Sequence, residues 1–305
     1  MKNIISAGQF KKEEVEQILK LAQKMEEDCK SGSVEQALKD KIVACIFFEP
    51  STRTRLSFET AALKLGAKII SAENAMENTS AYKGETIEDT TKILCSYADI
   101  IVMRHPEAGT PERAAKVATK PIINAGDGAN QHPSQGFLDL YTIKKEKGRL
   151  NNLNIGFGGD LLNSRTLRSL LPLLQFYEGN KFYFISPKEL QLPRGFIQEL
   201  KESGVIFEEL SSLEEKLGEL DLLYMTRVQK ERFSDLSDYE KVKDLFILKK
   251  EYLENMKADS IIMHPLPKIN EIEKEVDDDP RAAYFRQAQN GLYVRMALFL
   301  YALGL

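Results

Sequence analysis

Tryptophan is absent from the 305-residue chain, and only three cysteines and three histidines occur. Cys29, Cys45 and Cys95 are odd in number and far apart, which leaves neither a disulfide framework nor a zinc spacing. A reducing cytoplasm is the expected home. No apolar run reaches the ~18 residues of a membrane span, and the opening stretch MKNIISAGQFKKEE lacks the apolar centre of a secretory signal. Positive charge is also short: 42 lysines and arginines face 46 acids, for a net charge of −4. That excludes an overall basic footprint for nucleic acid and leaves a local basic cleft open. There is no GxxxxGK[ST] loop, no internal repeat and no low-complexity tract.

What the chain does have is alternation. Short apolar runs at 41–48, 67–72, 99–103, 121–125, 153–157, 181–185, 205–209, 221–225 and 260–263 read as strands. Amphipathic stretches at 11–30, 52–65, 86–97, 110–119, 134–147, 164–177, 191–203 and 290–303 read as helices between them. This spacing predicts an α/β protein of two similar-sized domains, each a parallel sheet flanked by helices. AGDGANQHPS at 125–134 reads as a hinge or boundary. The expected division is 1–131 plus 289–305 for one domain and 132–288 for the other. The apolar C-terminal helix then packs back on the first domain.

Each histidine stands directly before a proline: His105–Pro106, His132–Pro133 and His264–Pro265. Proline restrains the residue before it to extended backbone. Two readings follow: the pairs simply end strands and start turns, or they hold three imidazoles at the lip of a cleft beyond the strand ends.

FFEPSTRTRLSFE, at 47–59, joins a predicted strand to a predicted helix. The first N–H groups of a helix precede its ladder, and its dipole adds roughly half a positive charge there. Ser51 reads as the N-cap, Thr52 and Thr54 add hydroxyls, and Arg53 adds a fork suited to phosphate. Arg53 and Arg55 lie roughly 200° apart around a helix, so Arg53 is assigned to an anion and Arg55 to structure. The alternative is a capped helix with solvated arginines.

The joint resembles the carbamoyl-phosphate signature of the aspartate and ornithine carbamoyltransferases. TSAYKGETIEDT, IVMRHPEAG, QHPSQGFLDLYTI, GDLLNSRTLRSL, YMTRVQKER and MHPLPKINEI follow in the family's order over the length of the chain. HPLP and MTRVQ resemble the aspartate branch. Chemistry agrees: a diacid acceptor calls for extra arginines, and Arg165, Arg227 and Gln229 follow predicted strands. If the segment after 221–225 is extended, Arg227 and Gln229 face one way.

The resemblance implies transfer of the carbamoyl group of carbamoyl phosphate to the amine of L-aspartate, a step of de novo pyrimidine synthesis. Ser51, Thr52, Arg53 and Thr54 would hold phosphate, and Arg104 both phosphate and carbonyl. Thr54, Arg104 and His132 would polarise the carbonyl, making Arg53, Thr54, Arg104 and His132 the catalytic set. Gln135 and the carbonyls of Pro265 and Leu266 would hold the carbamoyl NH2, with Leu266–Pro267 expected cis. Arg165, Thr166, Arg227, Gln229 and Leu266 would hold aspartate. Ser80 and Lys83 would enter a neighbouring subunit's site, Lys83 touching both substrates. The implied partners are the two substrates and two further copies in a homotrimer; regulatory chains are left open. Metal and cofactor are not called for. Lys268 stands where many relatives carry arginine, which keeps the charge and loses the fork.

Three rivals remain at this stage. GFGGD (156–160) after a strand invites a dinucleotide reading, although Leu161 stands where the third glycine of the fingerprint belongs. A two-domain binding protein for phosphorylated or dicarboxylic metabolites would keep the arginines without catalysis. Ornithine or another amine is an alternative acceptor.

Overall fold

The computed structural model describes all residues except 79–83, 230–232, 234 and 243–244, and the side chains of 236 and 238. Two compact units divide it: Met1–Tyr141 with Arg168–Leu173 and Gln289–Leu305, and Thr142–Leu167 with Leu174–Ala288.

The first unit is built on four parallel strands, β1 (Ile42–Phe47), β2 (Lys68–Glu73), β3 (Ile100–His105) and β4 (Ile122–Asp127), in the order β2-β1-β3-β4. Its helices are α1 (Lys12–Ser31), α2 (Thr52–Lys64), α3 (Ala75–Asn78), α4 (Ile87–Tyr97), α5 (Thr110–Val117) and the start of α6 (Pro133–Lys147). Strands β1, β3 and β4 are almost wholly buried, which is why they read as continuous apolar runs rather than alternating ones. Edge strand β2 is largely exposed. Helix α1 turns Val15, Ile18, Leu19, Ala22 and Met25 inward at helical spacing and stops at Gly32, whose φ of 72° suits a left-handed cap. Thr86 caps α4 through a 3.1 Å bond from the Asp89 N–H.

The second unit carries β5 (Asn154–Gly159), the ends of α7 (Arg165–Leu174, of which Arg168–Leu173 belong to the first unit), β6 (Lys181–Ile185), α8 (Arg194–Glu202), β7 (Ile206–Leu210), β8 (Leu222–Thr226), α9 (Leu236–Val242) and β9 (Ile261–Met263). Its parallel sheet runs β7-β6-β5-β8-β9. Tyr183, Ile185, Leu210, Leu223, Met225, Ile262 and Tyr284 belong to one buried cluster there.

Helix α10 (Tyr284–Leu303) begins six residues before the predicted start. Gly291 sits inside the helix. A Cβ on it would lie 2.3 Å from Nη1 of Arg295, so the glycine makes room for a buried guanidinium. In the first unit, α10 meets the N-terminal segment: the Lys2 N–H donates to the Ala302 carbonyl, and Phe299 lies 5.7 Å from Phe58. Among the described residues no helix is long and apolar enough to cross a membrane.

Candidate active site

In a doubly wound sheet, ligands bind beyond the carboxyl ends of the two strands where the order reverses. In the first unit that point lies between β1 and β3. In the second it lies between β5 and β8.

Residues 51–54 leave the end of β1. Ser51 occupies the N-cap position of α2, but its side chain makes no cap bond, contrary to the expected role. Its carbonyl does the capping work, accepting from the Arg55 N–H at 3.0 Å. The N–H groups of 52–54 therefore come before the ladder begins. Thr54 is buried while Thr52 and Arg53 are exposed. Arg55 points elsewhere and is bound to Glu59 at 3.1 Å and Glu73 at 3.0 Å, the structural role expected of it.

Arg104 stands near the end of β3, next to β1, with Phe47 as its register partner. Its guanidinium is nearly buried and pairs with Glu49 at 2.6 Å, and it donates to the Ala125 carbonyl at 3.3 Å. His132 and Gln135 follow β4, the neighbour of β3. Asp127, fully buried at the end of β4, fixes this approach by accepting from Gly109 N, Asn124 Nδ2, Asn130 Nδ2 and Gln131 N at 2.8–3.0 Å. The His132 N–H donates to Ser169 Oγ at 2.8 Å, and its carbonyl accepts from the N–H groups of Gln135 and Gly136. Gln135 donates through Nε2 to Asp139 at 2.8 Å.

In the second unit, Arg165 and Thr166 follow β5, and Arg227 and Gln229 follow β8. Asp160 joins these two loops. It accepts from Asn163 N and Nδ2 and from the Gln229 N–H at 3.0–3.3 Å. Burial pushes its carboxyl above the ordinary range, against the pull of those donors and of the Arg227 charge. The Gln229 side chain donates to the Asn163 carbonyl at 3.0 Å, and Thr166 Oγ1 lies 3.2 Å from Ser164 Oγ. Pro265 and Leu266 follow β9, so they belong to this unit and not to the one carrying residues 51–54. Leu266–Pro267 is cis, and Leu266 has a φ of 55°.

The three His–Pro pairs share a local device. Proline has no N–H, so each ring reaches past it to residue i+2. Nδ1 of His105 accepts the Glu107 N–H at 3.0 Å, and Nδ1 of His264 accepts the Leu266 N–H at 2.8 Å. Nδ1 of His132 lies 3.3 Å from Ser134 Oγ. For His105 and His264 the neutral proton therefore sits on Nε2. Nε2 of His264 meets Glu271 at 2.7 Å, both side chains being buried. Burial lowers the His264 pKa despite that carboxylate. Burial acts to raise Glu271, but His264 and local N–H groups hold it below its ordinary range. Lys268 pairs with Asp277 at 3.0 Å. Ser80 and Lys83 lie outside the described residues.

Sequence reasoning missed the carboxylates: Glu49, Asp127, Asp139, Asp160 and Glu271. Glu49 stood inside the quoted joint, and Asp139 one helical turn beyond Gln135. Those two were open to detection. The dinucleotide rival loses its basis. A Cβ on Gly156, Gly158 or Gly159 would meet Leu220 at 2.6 Å, Met225 at 2.8 Å or the Thr226 carbonyl at 2.1 Å. The missing side chains are filled by the sheet's own neighbours.

Comparisons with known proteins agree over both units. Residues 2–145 match the carbamoyl-P binding domain, and 151–302 the Asp/Orn binding domain, of aspartate/ornithine carbamoyltransferases. The aspartate carbamoyltransferase catalytic subunit of Clostridium novyi is 48% identical, over 99% of this chain and 98% of that protein. The catalytic subunit of M. jannaschii aspartate transcarbamoylase superposes with a TM-score of 0.91 at 48% identity, covering 98% of this chain and 97% of the other. Aspartate transcarbamoylase from Trypanosoma cruzi, solved with carbamoyl phosphate and aspartate, gives 0.92 at 38% identity, covering 99% and 96%. With both halves matched, this chain belongs to the aspartate/ornithine carbamoyltransferase family.

Proposed function

We propose that this chain transfers the carbamoyl group of carbamoyl phosphate to L-aspartate, giving N-carbamoyl-L-aspartate and phosphate, in pyrimidine synthesis. One observation carries the reading. In each unit the arginine-bearing loops leave the two strands at which the sheet order reverses: residues 51–54 and Arg104 at β1 and β3, Arg165 and Arg227 at β5 and β8. The first set suits a phosphorylated acyl donor and the second a dicarboxylate. An ornithine side-chain ammonium has no reason to seek Arg165 and Arg227. We assign residues 1–131 with 289–305 to carbamoyl phosphate and 132–288 to aspartate.

Ser51, Thr52, Arg53 and Thr54 take the phosphate with the N–H groups of the first turn of α2. Thr54, Arg104 and His132 donate to the carbonyl oxygen, where negative charge develops. Ser134 donating to Nδ1 leaves the neutral His132 ring its Nε2 proton for this purpose. Gln135 and the carbonyls of Pro265 and Leu266 accept from the carbamoyl NH2. Arg165 and Arg227 grip the two carboxylates, with Thr166, Gln229 and Leu266 beside them.

The uncharged aspartate amine attacks the carbonyl carbon. A C–N bond forms, the C–O bond to phosphate breaks, and the leaving phosphate takes the amine proton. Rate comes from positioning and from stabilised oxyanion charge. Ser80 and Lys83 complete a neighbour's site in a cytoplasmic homotrimer.

The test is direct. Purified chain is incubated with carbamoyl phosphate and either aspartate or ornithine, and the ureido product is measured. Turnover with aspartate alone is expected; product from ornithine, or binding without product, overturns the reading.

A further inference from the structure

The structure points past the substrate-facing groups to a buried carboxylate behind one of them. Asp139 is fully buried on α6, one turn beyond Gln135, and accepts from Gln135 Nε2 at 2.8 Å. An ionised carboxylate only accepts, so the glutamine must present its NH2 to it. The other limb of the amide, Oε1, takes no hydrogen bond from the described residues. Arg295 of α10 is buried in the same unit, with its guanidinium 5.0 Å from the Phe58 ring centre. Gly291 leaves the space it occupies. Glycine is disfavoured inside a helix, so this arrangement holds the arginine against a local cost. Burial pulls the Arg295 pKa down to about 10, and the charge opposing that fall is Asp139.

We propose that Asp139 is a positioning residue that locks the Gln135 amide with Oε1 toward substrate, so that the site selects an acyl group bearing N–H donors. The inference rests on the assignment of Gln135 to the carbamoyl NH2. With the amide turned over, N–H would face N–H and the selection would be lost. An amide at position 139 donates as well as accepts, so it no longer dictates which way Gln135 faces.

The probe is acetyl phosphate, which keeps the phosphate and the carbonyl and replaces NH2 with methyl. Dissociation constants of carbamoyl and acetyl phosphate are measured calorimetrically for the unmodified chain and for three variants. These are Gln135→Met, Asp139→Asn, and Asp139→Asn with Arg295→Met, which removes both buried charges together. The unmodified chain is expected to prefer carbamoyl phosphate. Both Asp139 variants should lose roughly tenfold of that preference, the worth of one hydrogen bond, with acetyl phosphate bound as before. Equal weakening of both ligands means a merely structural role and overturns the proposal; so does an unchanged preference. If the Asp139 variants do not fold, hydrogen exchange of the Gln135 side-chain amide in the unmodified chain decides. Protection is expected, and solvent-like exchange overturns the lock. Gln135→Met separates the two ideas: an unchanged preference there removes Gln135 from the carbamoyl site, whatever Asp139 does.

Discussion

Two arginines two positions apart should give opposite phenotypes. Arg53 is exposed in the first turn of α2, where the helix dipole disfavours a cation. Its side chain is exposed, so on replacement by alanine stability should move by no more than about 0.5 kcal/mol. Loss of a charge-assisted bond to phosphate costs about 1.5–3 kcal/mol in binding, or roughly 10–150-fold in carbamoyl phosphate affinity. As a contact that strengthens in the transition state, it also costs about 10²–10³ in turnover. Arg55 is held by Glu59 and Glu73, its side chain only 22% exposed. Each partly exposed pair contributes up to about 1 kcal/mol. Arg55→Ala should therefore lower the melting temperature by roughly 2–8 °C, at about 2–4 °C per kcal/mol, and leave turnover within a few-fold.

The assay is initial rate against carbamoyl phosphate at saturating aspartate, with a thermal melt of each variant. Arg53→Ala should lose activity at an unchanged melting temperature, and Arg55→Ala should do the reverse. Near-normal activity in Arg53→Ala would refute the phosphate cradle, and so would an exchange of the two phenotypes.

Three other outcomes follow from the same contacts. Glu271→Ala leaves the Nε2–H of the neutral, buried His264 without its carboxylate and should cost about 1–3 kcal/mol in urea unfolding. His264 and Glu271 both have lowered pKa values in the fold, so their contribution is complete above the ordinary histidine value of 6.5. It is lost as pH falls, first below 6.5 and then below 4.5; stability that rises on acidification from pH 7 would mean that the Glu271 charge outweighs burial at His264 and would overturn this reading. Gly159→Ala forces a side chain onto a φ of 105° with a Cβ 2.1 Å from the Thr226 carbonyl. It should cost more than about 1 kcal/mol and raise the KM for aspartate, since Thr226 leads directly into Arg227. Glu14 is held down to about 2 by Lys2, Tyr301 and the Lys11 N–H. Its contribution is present above pH 4.5 and lost between 4.5 and about 2, so the stability gap to Glu14→Gln should close at pH 2; a constant gap would place the effect in packing alone.

Much of the fold was legible because parallel strands buried on both faces must be apolar throughout, and every predicted strand lies where such a run occurs. The order of the strands was not legible. Nothing in the letters says that β3 passes β2 to pair with β1, yet that crossing sets Arg104 beside residues 51–54. Helix α10 starts at Tyr284, ahead of the expected 290, and Gly291 inside it is matched in space by Arg295. The His–Pro pairs were read as strand ends or as cleft groups, and the structure gives a local answer first: a ring that bonds past a proline. The carboxylates stayed hidden for a different reason. An arginine or glutamine announces a ligand by itself, whereas an acid announces nothing until its partner is known, whether that partner is distant, as Arg104 is from Glu49, or one turn away, as Gln135 is from Asp139.

Those acids follow one physical rule. A long polar side chain has too many rotamers to bind tightly unless something fixes it beforehand. Glu49 sits on Arg104, Asp139 on Gln135, Asp160 on the Gln229 N–H and near the Arg227 charge, and Glu271 on His264, whose ring in turn holds the Leu266 N–H. Each acid accepts from a group assigned to a ligand, from the backbone that carries one, or from a ring that holds such backbone, and so limits what that group can offer elsewhere. They also offset a charge problem. Sites that gather arginines for a phosphate and two carboxylates would repel themselves when empty. Negative charge placed behind them lets the empty protein hold its cations in position. The prediction common to all four is that neutralising the acid should change which ligand is chosen, or how it is turned, more than it changes how strongly the protein attracts anions in general.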